Sequence, residues 1–307
     1  MNEPARIEIR PAVRRDSTRL EEFLATAPPT AGAAESADSL FLTDVRSRVI
    51  ALSDGTVVGT CPYIGGSGRC AVIPPPRMFQ WDPALAVRLY RAAAAHALRR
   101  HGARLIQALT DPAGATPIAD ALRGAGFEVL AMLSYMRRSG QPEDLHREPR
   151  ADFEWQHYSL LRHRRFAETI LRTYEQSLDC PRLAGLRDID DTIATHKHTG
   201  TFSPRTWRLV LSGGKPAGVC LVNNLQGRGD LVYLGVAPET RGRGIARALL
   251  ERALRDTAEM GLPAMGLAVD VANTPAVRLY ESMGFKEIRR RLAHFIPGET
   301  LAALAAE

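Results

Sequence analysis

The sequence predicts an α/β (α+β) chain built from two similar halves, and three observations carry that prediction. The stretch Thr116-Pro117-Ile118-Ala119-Asp120-Ala121-Leu122-Arg123-Gly124-Ala125-Gly126-Phe127 returns 158 residues later as Thr274-Pro275-Ala276-Val277-Arg278-Leu279-Tyr280-Glu281-Ser282-Met283-Gly284-Phe285. Thr-Pro coincides at one end and Gly-Phe at the other, the Pro-in, Gly-out asymmetry of a capped helix. Each half also carries one strand–turn–strand unit ahead of that helix. Finally, 307 residues exceed one comfortable core and suit two domains of roughly 150.

Taken in order, Ile7-Glu8-Ile9-Arg10 alternates like a strand and Thr18 to Ala25 reads as a helix. Val49-Ile50-Ala51-Leu52 leads through Asp54-Gly55 to Val57-Val58-Gly59, a hairpin with an Asp-Gly turn. Leu105-Ile106-Gln107-Ala108-Leu109 is a strand before the Thr-Pro helix. Between Ser139 and Asp152 every apolar period breaks, which sets a first half at 1–140, a linker at 141–152 and a second half at 153–307. The second hairpin runs from Trp207-Arg208-Leu209-Val210-Leu211 through Gly213-Gly214 to Ala217–Val222, and Ala264–Val269 is the strand before the second Thr-Pro helix. A duplication is the simplest account of the parallel order.

The stretch richest in chemistry is Asp230 to Gly261. Asp230-Leu231-Val232-Tyr233-Leu234-Gly235-Val236 is a strand by its β-branched and aromatic content. Ala237-Pro238-Glu239-Thr240 ends it, and Arg241-Gly242-Arg243-Gly244-Ile245-Ala246 opens a helix with an apolar stripe at Ile245, Leu249, Leu250, Ala253 and Leu254. Strand, glycine-bearing loop and helix N-terminus together suit a pyrophosphate, because bare backbone approaches closely and first-turn N–H groups lack partners. An Arg-rich turn with glycines for freedom explains the same residues. The loop is neither a Walker loop, lacking Gly-Lys-Ser or Gly-Lys-Thr, nor a dinucleotide fingerprint, lacking the third glycine and the following acid.

Arg241-Gly242-Arg243-Gly244-Ile245-Ala246 resembles the acyl-CoA loop, Gln/Arg-x-x-Gly-x-Gly/Ala, of the GNAT superfamily of N-acyltransferases. Val236-Ala237-Pro238 before it and Asn273 to Phe285 after it also look like that family, in the family's order. The resemblance covers roughly residues 153 to 296. It implies two tandem domains, each a central mixed, mostly antiparallel sheet flanked by helices, and acetyl-CoA as acyl donor to a primary amine of a small molecule. By similarity the cofactor wall comprises Arg241 to Ala246, Asn273, Ala276 and Tyr280, with an oxyanion-facing N–H from Leu234, Gly235 or Val236. Tyr280 would protonate the departing thiolate; it also reads as a helix aromatic packed on the sheet. Asp230 stands where family members place a strand carboxylate that serves as base, and equally suits a turn after Gly227-Arg228-Gly229. Glu175 and Asp179 fall near the acceptor side and would attract a cationic amine, or simply form a solvated face.

At the same 158-residue offset the first half has Pro83, Ala84 and Ala86 for Arg241, Gly242 and Gly244, Ala115 for Asn273 and Leu122 for Tyr280. It therefore reads as a degenerate copy beside one working site, a pseudo-dimer that can remain monomeric. Other acceptors within reach of this reading are protein or peptide amino groups; a silent acyl-CoA sensor is the rival outside enzymology.

Composition narrows the classes further. Hydrophobic residues make up 45% and charged residues 24%, as in ordinary globular chains, and no apolar run reaches the ~18 residues of a membrane span. The first residues lack the apolar core of a signal peptide. The net charge of +6 is almost all arginine interleaved with 34 acids, and aromatics are only 6%, so nucleic-acid binding is not favoured. Cys61, Cys70, Cys180 and Cys220 lack metal-ligand spacing and fit free thiols in the cytoplasm. His196-Lys197-His198 reads as a loop without a companion ligand, and no metal is expected.

Overall fold

The computed structural model describes residues 7–30, 44–112, 117–146, 153–186 and 188–306. Along the first half run β1 (Ile7–Pro11), α1 (Ser17–Thr26), β2 (Arg48–Ser53), β3 (Thr56–Pro62), β4 (Ile64–Gly65), β5 (Cys70–Val72), β6 (Arg77–Met78), α2 (Pro83–His101), β7 (Leu105–Thr110), α3 (Pro117–Gly124) and β8 (Glu128–Ser139). Along the second run β9 (Glu154–His157), α4 (His163–Tyr174), α5 (Ile189–His198), β10 (Trp207–Ser212), β11 (Lys215–Leu225), β12 (Arg228–Val236), α6 (Ile245–Glu259), β13 (Ala264–Asp270), α7 (Thr274–Ser282), β14 (Lys286–Phe295) and α8 (Gly298–Ala306).

Both expected hairpins form. Asp54 and Gly55 sit at φ +50° and +78°, Gly213 and Gly214 at +57° and +74°, the paired left-handed backbone that lets two-residue turns follow strand twist. Each hairpin slips register once near its turn, between Ala51 and Leu52 and between Val210 and Leu211. A shared bulge at a matching place is the structural form of the repeat. His196-Lys197-His198, expected as loop, instead closes the last turn of α5. Asp188 caps that helix by accepting from Asp190 N at 2.8 Å, and this strong start carries the helix through three residues whose own propensities are middling.

The chain forms two compact units, Met1–Leu130 with Arg291–Glu307, and Ala131–Arg290. These cuts fall elsewhere than the expected 1–140 and 153–307. In the first unit β1, β2, β3 and β6 form one sheet, and Leu292–Phe295 of β14 pair antiparallel with Gln107–Thr110 of β7. Ile296, Leu301 and Leu304 complete its core beside Leu89, Tyr90, Ala93 and Ala97 of α2. In the second unit Leu133–Ser139 of β8 pair antiparallel with Ala264–Asp270 of β13, and the sheet continues through β12, β11 and β10 to β9. Each sequence half thus lends its last strand to the other half's sheet.

Both faces of that second sheet are covered, and strand alternation shows how. Leu209, Leu211, Val219 and Leu221 join Phe166 and Ile170 of α4 and Ile193 of α5. Val210, Cys220 and Val222 join Ile245, Leu249, Leu250, Ala253 and Leu254 of α6, the stripe read from the sequence. One carboxylate is buried with α6: Asp256, 1% exposed, takes Arg208 Nε at 2.9 Å and NH2 at 2.8 Å, and Arg252 NH2 at 2.7 Å.

Candidate active site

β12 and β13 run parallel, but their register holds only at Gly229↔Met265 and Asp230↔Gly266. Beyond Asp230 the strands part, and the second unit holds there a cleft of about 530 Å³. β12 also carries a bulge: Leu221 faces Tyr233 while Val222 faces Leu231, so Val232 has no partner on β11. The bulge re-aims the residues that follow. Ala237 N donates to Ala217 O at 2.9 Å, and successive strand N–H groups alternate sides. The N–H of Gly235 therefore points with that of Ala237 toward β11, and those of Leu234 and Val236 point into the gap. All three residues line the cleft.

Gly235 is required by a close crossing. A Cβ there would lie 2.5 Å from Thr173 Oγ1 and 2.7 Å from the Tyr233 hydroxyl, which bond each other at 2.6 Å. Gly235→Ala is expected to destabilise the protein by about 1–3 kcal/mol through overpacking, lowering the melting temperature; an unchanged thermal transition would show that the crossing relaxes freely.

The floor at the other side is the start of α6. Gly244 is its N-cap at φ +78°, with no side-chain capping bond, so no N-cap side chain occupies the first-turn N–H groups. Gly242 also sits at φ +78°, and a Cβ there would meet nothing within 4 Å. Gly242, Gly244, Ile245 and Ala246 all line the cleft. An uncapped helix end with bare backbone fits a pyrophosphate. The first unit differs in kind. At the start of α2 Asp82 caps the helix, accepting from Ala84 N at 2.9 Å and Leu85 N at 3.1 Å. A carboxylate already fills the place a phosphate would take. Asp82, rather than the Ala86 given by the repeat offset, is the residue that matches Gly244.

Arg241 lines the cleft, yet its guanidinium is engaged with carbonyls. It donates to Val236 O at 3.2 Å, Gln176 O at 3.2 Å, Thr173 O at 3.2 Å and Glu175 O at 2.7 Å. It thus caps the C-terminus of α4, where a cation is favoured, and fastens the segment that follows. Arg243 is exposed and lies outside the lining. Arg247, which sequence reasoning passed over, lines the cleft and is steadied by Ser282 Oγ and Met283 Sδ, both at 2.9 Å. Its signal was a basic residue in the first turn of the helix that opens on the cleft.

α7 supplies the far wall. Asn273 is its N-cap, its side chain accepting from Ala276 N at 3.4 Å, and Asn273, Ala276 and Tyr280 line the cleft. The Tyr280 ring packs edge-on to Phe285 at 5.9 Å. Burial pushes its hydroxyl well above the usual phenol range, and the nearby Asp179 charge adds to the shift.

The segment after α4 brings Tyr174, Gln176, Ser177, Leu178 and Asp179 to the same cleft. Two non-glycine residues at positive φ bracket its turn, Gln176 at +54° and Cys180 at +46°. Asp179 Oδ1 accepts from Asp270 N at 3.1 Å, and Asp270 Oδ2 accepts from Cys180 N at 3.2 Å. Among the described residues Asp179 is the one carboxylate lining the cleft. Asp179 stays open to the cleft, while protein packed around its carboxyl, together with the Asp270 charge, pushes its pKa up. Glu175 is exposed outside the lining, and its carbonyl serves Arg241. Asp230 also lies outside the lining, where β12 and β13 are still paired. Burial raises its pKa against the opposing charge of Arg228, whose NH2 stands 3.9 Å away.

Comparison with known proteins agrees with this geometry. Residues 143–285 match the model of the acetyltransferase (GNAT) family. Mycothiol acetyltransferase of Thermobispora bispora is 51% identical over 57 residues, 19% of this chain and 19% of its own. That of Streptomyces bingchenggensis is 35% identical over 102 residues, 33% and 32%. The alignments thus span only a fifth to a third of these relatives. A GCN5-related N-acetyltransferase from Sphaerobacter thermophilus shares the fold over 96% of both chains, with a TM-score of 0.60 at 18% identity. A tandem GNAT protein from the clavulanic acid biosynthesis pathway does so over 95% of this chain and 99% of its own, at 0.51 and 15%. Residues 143–285 thus form a GNAT-family domain, and the cleft lies within it.

Proposed function

We propose that the protein transfers an acetyl group from acetyl-CoA to a primary amine of a small molecule, at one site in the second unit. The observation that carries the reading is the coincidence, in one cleft, of an uncapped helix start, two inward strand N–H groups and the Tyr280 hydroxyl. The donor's pyrophosphate would rest on the N–H groups of Gly242 to Ala246, with Arg247 adding charge. Asn273 and Ala276 would flank the pantetheine arm. The thioester supplies the acyl group; the protein orients it and answers the charge. Leu234 or Val236 N–H would face the carbonyl oxygen as it gains charge, a contact worth about 2.7–4 kcal/mol in comparable sites. Tyr280 would hand its proton to the leaving sulfur. The name of the curated relatives supports a small-molecule acceptor, and the thiol pattern supports a cytoplasmic enzyme.

Calorimetric titration with acetyl-CoA tests the reading. Wild type is expected to bind one equivalent per chain. Gly244→Trp is expected to abolish binding, because the ring fills the loop. Absence of binding by wild type would overturn the reading, and two equivalents would restore the first unit as a donor site.

A further inference from the structure

We propose that Asp179, rather than a carboxylate on the strand, receives the proton that the acceptor ammonium must lose; the proposal rests on the acetyl-transfer reading above. Four observations lead to it. Among the described residues lining the cleft, Asp179 is the one carboxylate, and it shares that cleft with Tyr280 and the Leu234–Val236 strand. Its position is fixed at both ends of its segment. Arg241 gathers the carbonyls of Thr173, Glu175 and Gln176 at the start, and the Asp179–Asp270–Cys180 exchange of bonds closes the end. The backbone between is held at positive φ twice, at Gln176 and Cys180, a cost that persists where surroundings over-determine a site. Lastly, Asp230 is set where β12 and β13 are still hydrogen-bonded, outside the lining.

The proton balance closes without another reagent. An alkylammonium, with pKa near 10, passes one proton to Asp179 and becomes the neutral amine. Its lone pair forms the C–N bond at the thioester carbonyl as the π pair moves to oxygen. When that pair returns, the C–S bond breaks. Sulfur takes the Tyr280 proton, and the second proton on nitrogen restores Tyr280. Asp179 returns its proton to solvent. The charged and titratable groups that interact with Asp179 are Asp270 of β13, Tyr280 of α7 and Tyr233 of β12, while Tyr174 of α4 and Arg241 before α6 line the same cleft. Protein packed around the carboxyl and the Asp270 charge raise the Asp179 pKa, so the base-form requirement puts an acid limb above the ordinary carboxylate range.

The test compares wild type with Asp179→Asn, which keeps an oxygen to accept from Asp270 N. Both bind acetyl-CoA if the donor reading holds. Against a panel of aliphatic amines, amino acids and amino sugars, the variant is expected to lose about a hundredfold in kcat and to lose the acid limb of kcat/KM. The KM for acetyl-CoA stays within about twofold by the same reasoning. Each protein, saturated with CoA, is also titrated with n-butylammonium chloride, which the variant should bind about tenfold more weakly. Loss of acetyl-CoA binding by wild type would count against the donor reading. With that binding intact, equal butylammonium affinity, or an acid limb that survives Asp179→Asn and vanishes in Asp230→Asn, would overturn the assignment.

Discussion

Tyr280→Phe is expected to lower kcat about a hundredfold or more while the affinity for acetyl-CoA stays nearly unchanged. The hydroxyl is the group at issue, because the ring keeps its place. It is 7% exposed and packs on Phe285, and phenylalanine fills the same volume, so folding should hardly notice. Burial and the Asp179 charge both oppose a phenolate. Tyr280 is therefore protonated at neutral pH, and its proton must be replaced as soon as it leaves. The amine nitrogen, which sheds a proton as the amide forms, is the natural source. In the proposed reaction Tyr280 would then act as a bridge from nitrogen to sulfur. Thiol release measured beside calorimetric acetyl-CoA binding checks this. Full turnover in the phenylalanine variant would remove Tyr280 from the chemistry.

Asp256→Ala is expected to cost about 3–5 kcal/mol of stability and to lower the melting temperature by on the order of 10 °C. The carboxylate is 1% exposed, and its partners Arg208 and Arg252 are only 17% and 16% exposed. Removing it leaves two guanidiniums crowded together, with only the half-exposed Glu259, 3.6 Å from Arg252, as remaining counter-charge. On the same helix, Glu259 is 44% exposed and pairs with Arg255. Glu259→Ala should shift stability by no more than about 1 kcal/mol, because water screens that pair. Thermal denaturation of the two variants separates the cases. Equal, small shifts would mean that Arg208 and Arg252 find new acceptors.

The contrast between these two acids also shows where sequence reading stops. The stripe Ile245, Leu249, Leu250, Ala253, Leu254 was legible because it repeats with the helix. Asp256 belongs to the buried side, but a charge interrupts an apolar pattern instead of extending it, and only its arginine partners explain it. Hairpins were legible from Asp54-Gly55 and Gly213-Gly214, since turn chemistry is local. The positive-φ glycines of the loop before α6 were legible for the same reason. Asp179 was named from the sequence as a group drawing a cation, but its separation from Glu175 was not legible. The two lie four residues apart, and the turn after α4 leaves one in the cleft and the other outside it. Arg241 looked like a phosphate ligand by charge, whereas its bonding is decided by carbonyls some 65 residues earlier.

The traded strands bear on how the molecule comes into being on the ribosome. Domains ordinarily fold as units in the order they are made. Here the first unit needs Leu292–Phe295 beside β7 and the side chains of Ile296, Leu301 and Leu304 in its core. The part of that unit before residue 130 must wait, with apolar surface uncovered, until residues 292–304 have been made. The unit begun second, closed by Arg290, has all its chain first. Maturation therefore runs against the direction of translation, and a released chain ending at residue 290 would show a protease-resistant second unit beside a still-digestible first.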